Sequence, residues 1–120
     1  MKKKSSTVVD KFIDYVIKGV HNLEQCAAVN VTTSADAIGV SRCHLSRQFR
    51  ARAGETPEQY INRMKMIVAG RLLIESHMAV HEVTLKTGFC RSDYFIVVFK
   101  KHFGTTPGRY REIHRRAVTR

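Results

Sequence analysis

The chain has 120 residues, room for one domain or two very small ones. Apolar residues make up 43% of it, so composition does not leave it disordered, and 21 Lys+Arg against 10 Asp+Glu leave a net charge of +11. That charge points to a polyanionic partner. The length excludes a large enzyme with a separate cofactor domain, and no phosphate-loop or dinucleotide fingerprint is present.

Met1-Lys2-Lys3-Lys4 starts like an export signal, but Asp10, Lys11 and Asp14 interrupt what would be its apolar core. Residues 1–7 read as a flexible basic N-terminus. A first amphipathic helix is expected over Val8–Asn22, through Val9, Phe12, Val16 and Val20. A short helix follows over Val31–Ile38 with Asn30 as its cap, then one over Ser41–Ala53 capped by Ser41. A long helix is expected over Pro57–Glu75, burying a stripe of Ile61, Met64, Val68 and Leu72, with Gly70 weakening it. Helices over Val80–Thr87, Ser92–His102 and Pro107–Arg116 complete an all-α set of seven, and residues 117–120 read as a flexible tail. The β-branched cluster Ile96-Val97-Val98 sits inside a helical phrase. No apolar run approaches the roughly 20 residues needed to cross a bilayer. Three separated cysteines, Cys26, Cys43 and Cys90, without a CxxC fit a reduced compartment, so a cytoplasmic location is expected.

The chain repeats itself. Gly54-Glu55-Thr56-Pro57-Glu58-Gln59-Tyr60 returns as Gly104-Thr105-Thr106-Pro107-Gly108-Arg109-Tyr110. At the same offset Leu45 pairs with Phe95, Phe49 with Phe99 and Arg50 with Lys100. Upstream the offset is shorter by one, pairing Ala35 with Thr84, Gly39 with Gly88 and Val40 with Phe89, which places a one-residue insertion in the second copy. Each Thr-Pro is a helix start, because the Thr hydroxyl caps free N–H groups and Pro suits the first helical position. Each preceding Gly stands where a helix ends in a left-handed cap.

Within each copy the spacing is that of a helix-turn-helix: a small residue for close approach, a Gly for the turn, an apolar residue to close the core. The expected layout is a first subdomain over 8–54, a linker helix over 55–76 and a second subdomain over 77–116. With Leu45 and Phe49 inward, the outward face of the first recognition helix carries Arg42, Cys43, Ser46, Arg47 and Arg50. Arginine can grip guanine with two hydrogen bonds or hold a phosphate. The second recognition helix presents Arg91, Ser92, Asp93, Ile96, Val97 and Lys100. Ile and Val donate no hydrogen bonds but can pack on thymine methyls; Asp93 must accept from a cytosine amino group or cap the helix. Three readings of this second face stand: base reading, docking on the DNA backbone, or an apolar surface for another protein.

The phrases Gly88-Phe89, Tyr94-Phe95, Phe99-Lys100-Lys101-His102-Phe103-Gly104 and Thr106-Pro107-Gly108-Arg109-Tyr110-Arg111 resemble the signature of the AraC/XylS family of bacterial transcription regulators. So does the linker phrase Tyr60-Ile61-Asn62-Arg63-Met64-Lys65 with Ala69 and Leu72-Leu73. The likeness runs from about Val8 to Arg111 and is greatest in layout to the stand-alone MarA/SoxS/Rob type. It implies two helix-turn-helix subdomains joined by a long helix, with each recognition helix in a major groove. Adjacent grooves lie about 34 Å apart, so a monomer would read an asymmetric site of two helical turns. It also implies activation of transcription through RNA polymerase. Base contacts then fall to Arg42, Cys43, Ser46, Arg47, Ser92, Asp93, Ile96 and Val97. Backbone contacts fall to Arg50, Thr56, Arg91, Lys100 and Thr106, helped by N–H groups at the helix starts. The sequence departs from the family at Ser34, where leucine is usual, at Thr84, where alanine is usual, and at Val97, where a polar base reader is common. The length leaves no room for a sensing domain, so either cellular amount is the signal or the chain is a piece of a longer regulator, Met1 favouring the former.

Other constellations carry less. His77 and His81 with Cys90 or His102 do not amount to the closed four-ligand shell of a metal site, and no cofactor is expected. Cys43 reads as a small contact residue rather than a redox sensor. No nucleophile–base arrangement or carboxylate pair suggests catalysis. The first helix has no basic excess on its polar face, so it is expected to pack on the first subdomain rather than lie on a membrane. The rival to a sequence-specific regulator is a protein-interaction module that contacts RNA polymerase or another regulator and binds DNA largely non-specifically.

Overall fold

The computed structural model describes the backbone of residues 7–118 and the side chains of residues 7–115. Among these residues there are seven α-helices and one 3-10 turn, and no strand. They are α1 (Val8–Val20), α2 (Val31–Ile38), α3 (Arg42–Ala53), α4 (Pro57–Glu75), α5 (Val80–Lys86), α6 (Ser92–Phe103) and α7 (Pro107–Val118), with the 3-10 turn Cys26–Ala28 after α1. The ends expected to be flexible lie outside the described residues except at their inner edges. There Thr7 is the N-cap of α1, accepting the Asp10 N–H at 3.1 Å, and 117–118 continue α7.

Local chemistry sets the helix ends. Asn30 Oδ1 accepts the Thr33 N–H at 2.8 Å and Ser41 Oγ accepts the His44 N–H at 3.0 Å. Thr56 Oγ1 accepts the Gln59 N–H while Gln59 Oε1 accepts the Thr56 N–H, a reciprocal cap ahead of Pro57. The repeat is visible in the backbone. Val40 N–H donates to the Ala35 carbonyl at 3.0 Å, and Phe89 N–H to the Thr84 carbonyl at 3.0 Å. The turn glycines Gly39 and Gly88 both have positive φ, 78° and 89°.

Two cores share one helix. Val9, Phe12, Val16 and Val20 of α1 bury against Ala35, Leu45, Phe49, Tyr60, Ile61 and Val68, with Phe12, Phe49 and Tyr60 forming an aromatic triangle 5.1–5.8 Å across. The apolar face of α1 is thereby occupied within the first half. In the second core, Met66, Ala69 and Leu73 meet Val83, Phe89, Phe95 and Phe99.

The stripe expected along α4 is therefore only half right. Ile61 and Val68 are buried, but Met64 and Leu72 are partly exposed, and Lys65, Met66, Ala69, Gly70 and Leu73 are buried as well. A helix between two cores needs two apolar faces, so a one-stripe reading misplaces half of them. Gly70 has a packing role: a Cβ there would lie 3.0 Å from Phe103 Cζ and 3.3 Å from the Tyr110 hydroxyl. The C-terminal carbonyls of α4, which has no cation in its last turn, are served from α7, where Arg111 Nε donates to the Leu73 carbonyl at 2.8 Å.

Candidate nucleic-acid interface

On α3, Leu45 and Phe49 are fully inward, which turns Arg42, Cys43, Arg47 and Arg50 to solvent and leaves Ser46 half-buried. Among the described residues none of the three arginines has a carboxylate partner. Their positive charge is uncompensated on one helical face, which suits a phosphate or a guanine edge.

The equivalent face of α6 is different in kind. The insertion between the two copies falls just before it, so Arg91 stands where Ser41 caps α3. No side chain of Arg91 caps α6; instead Asp93 accepts the Tyr94 N–H at 2.8 Å. Asp93 is also gripped by Arg91, whose Nε and Nη2 donate to its two carboxylate oxygens at 3.2 and 2.7 Å. The Arg91 bonds, then the Tyr94 N–H, hold the Asp93 carboxyl below the usual carboxylate range. The pair is neutral overall, and among the described residues Lys100 has no carboxylate partner on that face. Between them lie Tyr94, Ile96 and Val97, with Val97 62% exposed. Ser92 is half-buried, its Oγ 3.3 Å from His81 Nδ1.

The helix starts also differ. Thr56 is half-buried and its hydroxyl oxygen is engaged by Gln59, while the acidic Glu58 occupies the first turn of α4. Thr106 is exposed and accepts the Arg109 N–H at 3.3 Å, and the first turn of α7 carries no acid. An anion meets less repulsion at α7 than at α4.

The two recognition helices border a common cleft of about 900 Å³. Arg42 lines it from α3, and Arg91, Asp93 and Val97 line it from α6 and its leading turn. Cys43, Ser46, Arg47, Arg50, Ser92, Ile96 and Lys100 do not line it. The buried Ile61 and Lys65 of α4 also line it, together with the first turn of α2. Lys65 was missed as a site residue by periodicity. Its signal was a lysine spaced i, i+4 between Ile61 and Ala69, where a core residue is expected. Among the described residues no three His, Cys, Asp or Glu side chains gather as a metal site, and no helix is long and apolar enough to cross a membrane.

The second core, the paired turns and the two outward faces agree with what the chain resembles. Residues 34–113 match a family model described as a helix-turn-helix domain. The xylose operon regulatory protein of Escherichia coli K12 is 34% identical over 101 residues, covering 82% of this chain and 26% of that protein. This chain thus spans about a quarter of that relative's length. The probable transcription factor PqrA of Proteus vulgaris is 33% identical over 90 residues, covering 75% of this chain and 74% of its own. Among solved structures, the DNA-binding domain of the global transcriptional factor AdpA, in complex with a target DNA, superposes with a TM-score of 0.77 at 28% identity. That match covers 93% of this chain and 96% of that one. The chain belongs to the helix-turn-helix family of AraC/XylS-type transcription regulators and carries their DNA-binding domain.

Proposed function

We propose that the chain is a sequence-specific regulator that binds as a monomer to an asymmetric site, seating α3 and α6 in adjacent major grooves, and activates transcription through RNA polymerase. The observation that carries this reading is the α3 face, where three unpaired arginines flank Cys43 and Ser46 over a rigid apolar underside. Arg42, Cys43, Ser46 and Arg47 read bases in the first half. Ser92, Asp93, Ile96 and Val97 meet bases in the second, the apolar pair against thymine methyls. Arg50, Thr56, Arg91, Lys100 and Thr106 hold phosphates, Arg91 only after sharing its charge with Asp93. The units doing this are 8–54 and 77–116, joined by 55–76. The longest dimension of the molecule, 49 Å, is enough to span grooves about 34 Å apart.

The test is selection of duplexes from genomic fragments at physiological salt, followed by Arg47→Ala. An asymmetric motif of two helical turns is expected. Arg47→Ala should lose about 1–3 kcal/mol on the selected site and relax one or two base positions. Equal loss on selected and random duplex would remove base reading by Arg47. A second reading has its own observation: Tyr94, Ile96 and Val97 form an exposed apolar surface beside a charge-neutralised pair, as a protein-binding surface does. Under it the chain is an interaction module for RNA polymerase or another regulator, and selection yields salt-sensitive binding with no enriched motif.

A further inference from the structure

A lysine ammonium out of water needs a counter-charge or hydrogen-bond acceptors. Lys65 is 5% exposed, yet among the described residues it has neither a carboxylate partner nor a hydrogen bond. No side-chain nitrogen or oxygen there is both fully buried and unpaired, so its Nζ must reach the cleft that its residue lines. Its Nζ packs against the Cα hydrogen face of Gly88: a Cβ there would lie 2.8 Å from Nζ, and 2.8 Å from the Ala27 carbonyl oxygen.

We infer that this cleft between the two helix-turn-helix units binds a small organic carboxylate, the carboxylate on Lys65 Nζ and its hydrocarbon against Ile61, Phe89 and Val97. The volume, about 900 Å³, is that of a small-ligand site. The lining combines an apolar wall with converging donors. Asn62 lies one turn from Lys65 on the cleft side of α4, and the first turn of α2 brings the positive end of a helix dipole. The acids that border the cleft do not neutralise Lys65, since Asp93 is held by Arg91 and Glu58 is exposed in the first turn of α4. Burial lowers the pKa of the ammonium, so a carboxylate would relieve a standing penalty. The apolar wall selects among anions: Ile61, Phe89 and Val97 suit the chain of an aliphatic acid and offer a phosphate group no partner. Occupancy would compete with DNA at Arg42, Asp93 and Val97; that consequence rests on the proposed interface, while binding itself does not.

The test is a titration of the chain without DNA, followed by backbone amide NMR, with octanoate, octan-1-ol and inorganic phosphate as probes. Saturable octanoate shifts centred on Asn62, Gly88 and Phe89 are expected, with octan-1-ol and phosphate each at least tenfold weaker. Lys65→Met should abolish the preference for octanoate over octan-1-ol. Should that variant not fold, Val97→Asp adds a repelling charge at an exposed position and should weaken octanoate severalfold. Non-saturable shifts, shifts centred elsewhere, octan-1-ol or phosphate binding as tightly as octanoate, or unchanged affinity in both variants would overturn the inference. Because no DNA is present, failure here leaves the regulator reading untouched.

Discussion

Substituting the two turn glycines one at a time separates backbone strain from steric contact. Gly39 and Gly88 hold the same turn in the two halves, with φ of 78° and 89°. A left-handed conformation costs an L-residue about 1–2 kcal/mol, and the alanine recovers about 0.4–1 by restricting the unfolded chain. Gly39→Ala should therefore lose about 1 kcal/mol, since nothing lies within 4 Å of the added Cβ. At Gly88 the added Cβ would sit 2.8 Å from the Ala27 carbonyl oxygen and 3.0 Å from Ala27 Cα. That obstacle is backbone and cannot swing aside, so an overpacking penalty of about 1–3 kcal/mol is added. Gly88→Ala should lose about 2–4 kcal/mol in all, a melting shift of about 4 °C for each kcal/mol. Urea denaturation followed by far-UV circular dichroism measures both variants. Equal losses would show that the 3-10 turn yields freely and that the close approach of Ala27 to Gly88 holds no energy.

Ser41→Ala removes the cap of α3 and should cost about 1 kcal/mol of stability in the same denaturation assay; an unchanged midpoint would mean that the Ser41–His44 bond is not formed. Val97→Ala should change site preference little in competition binding, because one pair of methyl groups carries less discrimination than a bidentate arginine; a large loss would make thymine-methyl contact a principal determinant of the second half. Lys65 gives a pH signature. Burial holds its folded pKa below the ordinary lysine value, so between the two values the unfolded chain binds more protons and the contribution of Lys65 to stability rises with pH. Of the other groups around it, Cys90, Tyr94, Arg42, Arg91, Glu58 and Asp93 are common to both proteins when wild type is compared with Lys65→Met. The pKa of the Cys26 thiol, which burial raises and Lys65 partly lowers, is pushed further up in the variant, where its loss of stability with rising pH adds in the same direction. The stability difference between the two should shift in favour of wild type as pH rises toward the ordinary lysine value of about 10.4, and a flat difference would mean that burial does not hold Lys65 below it.

The recognition helices show how far short-range signals reach. Leu45 and Phe49, Phe95 and Phe99 are spaced i, i+4, and that alone turned Arg42, Arg47, Ile96 and Val97 outward. The end of α1 was less legible. The chain leaves the helix at His21 and enters a 3-10 turn that buries Cys26, a contact with no local spacing signature. The ion pair of Arg91 with Asp93 was within reach of the sequence, two residues apart. Its effect on α6 was not, because a pair so close in sequence forms only if the intervening turn bends the two side chains together.

The sequence by itself determined the elements and their repetition. Caps such as Asn30, Ser41 and Thr56, and left-handed glycines such as Gly54 and Gly104, act through hydrogen bonds spanning three or four residues, so residue order is enough to read them. Tertiary structure alone decided which sides of α4 are buried, why Gly70 is tolerated mid-helix, and where Lys65 points. Those depend on the two halves closing on opposite sides of one helix. Such closure brings Ala27, Lys65 and Gly88 together across more than sixty positions of chain. Burial and charge at such a meeting point come from proximity in space, which no periodicity along α4 encodes.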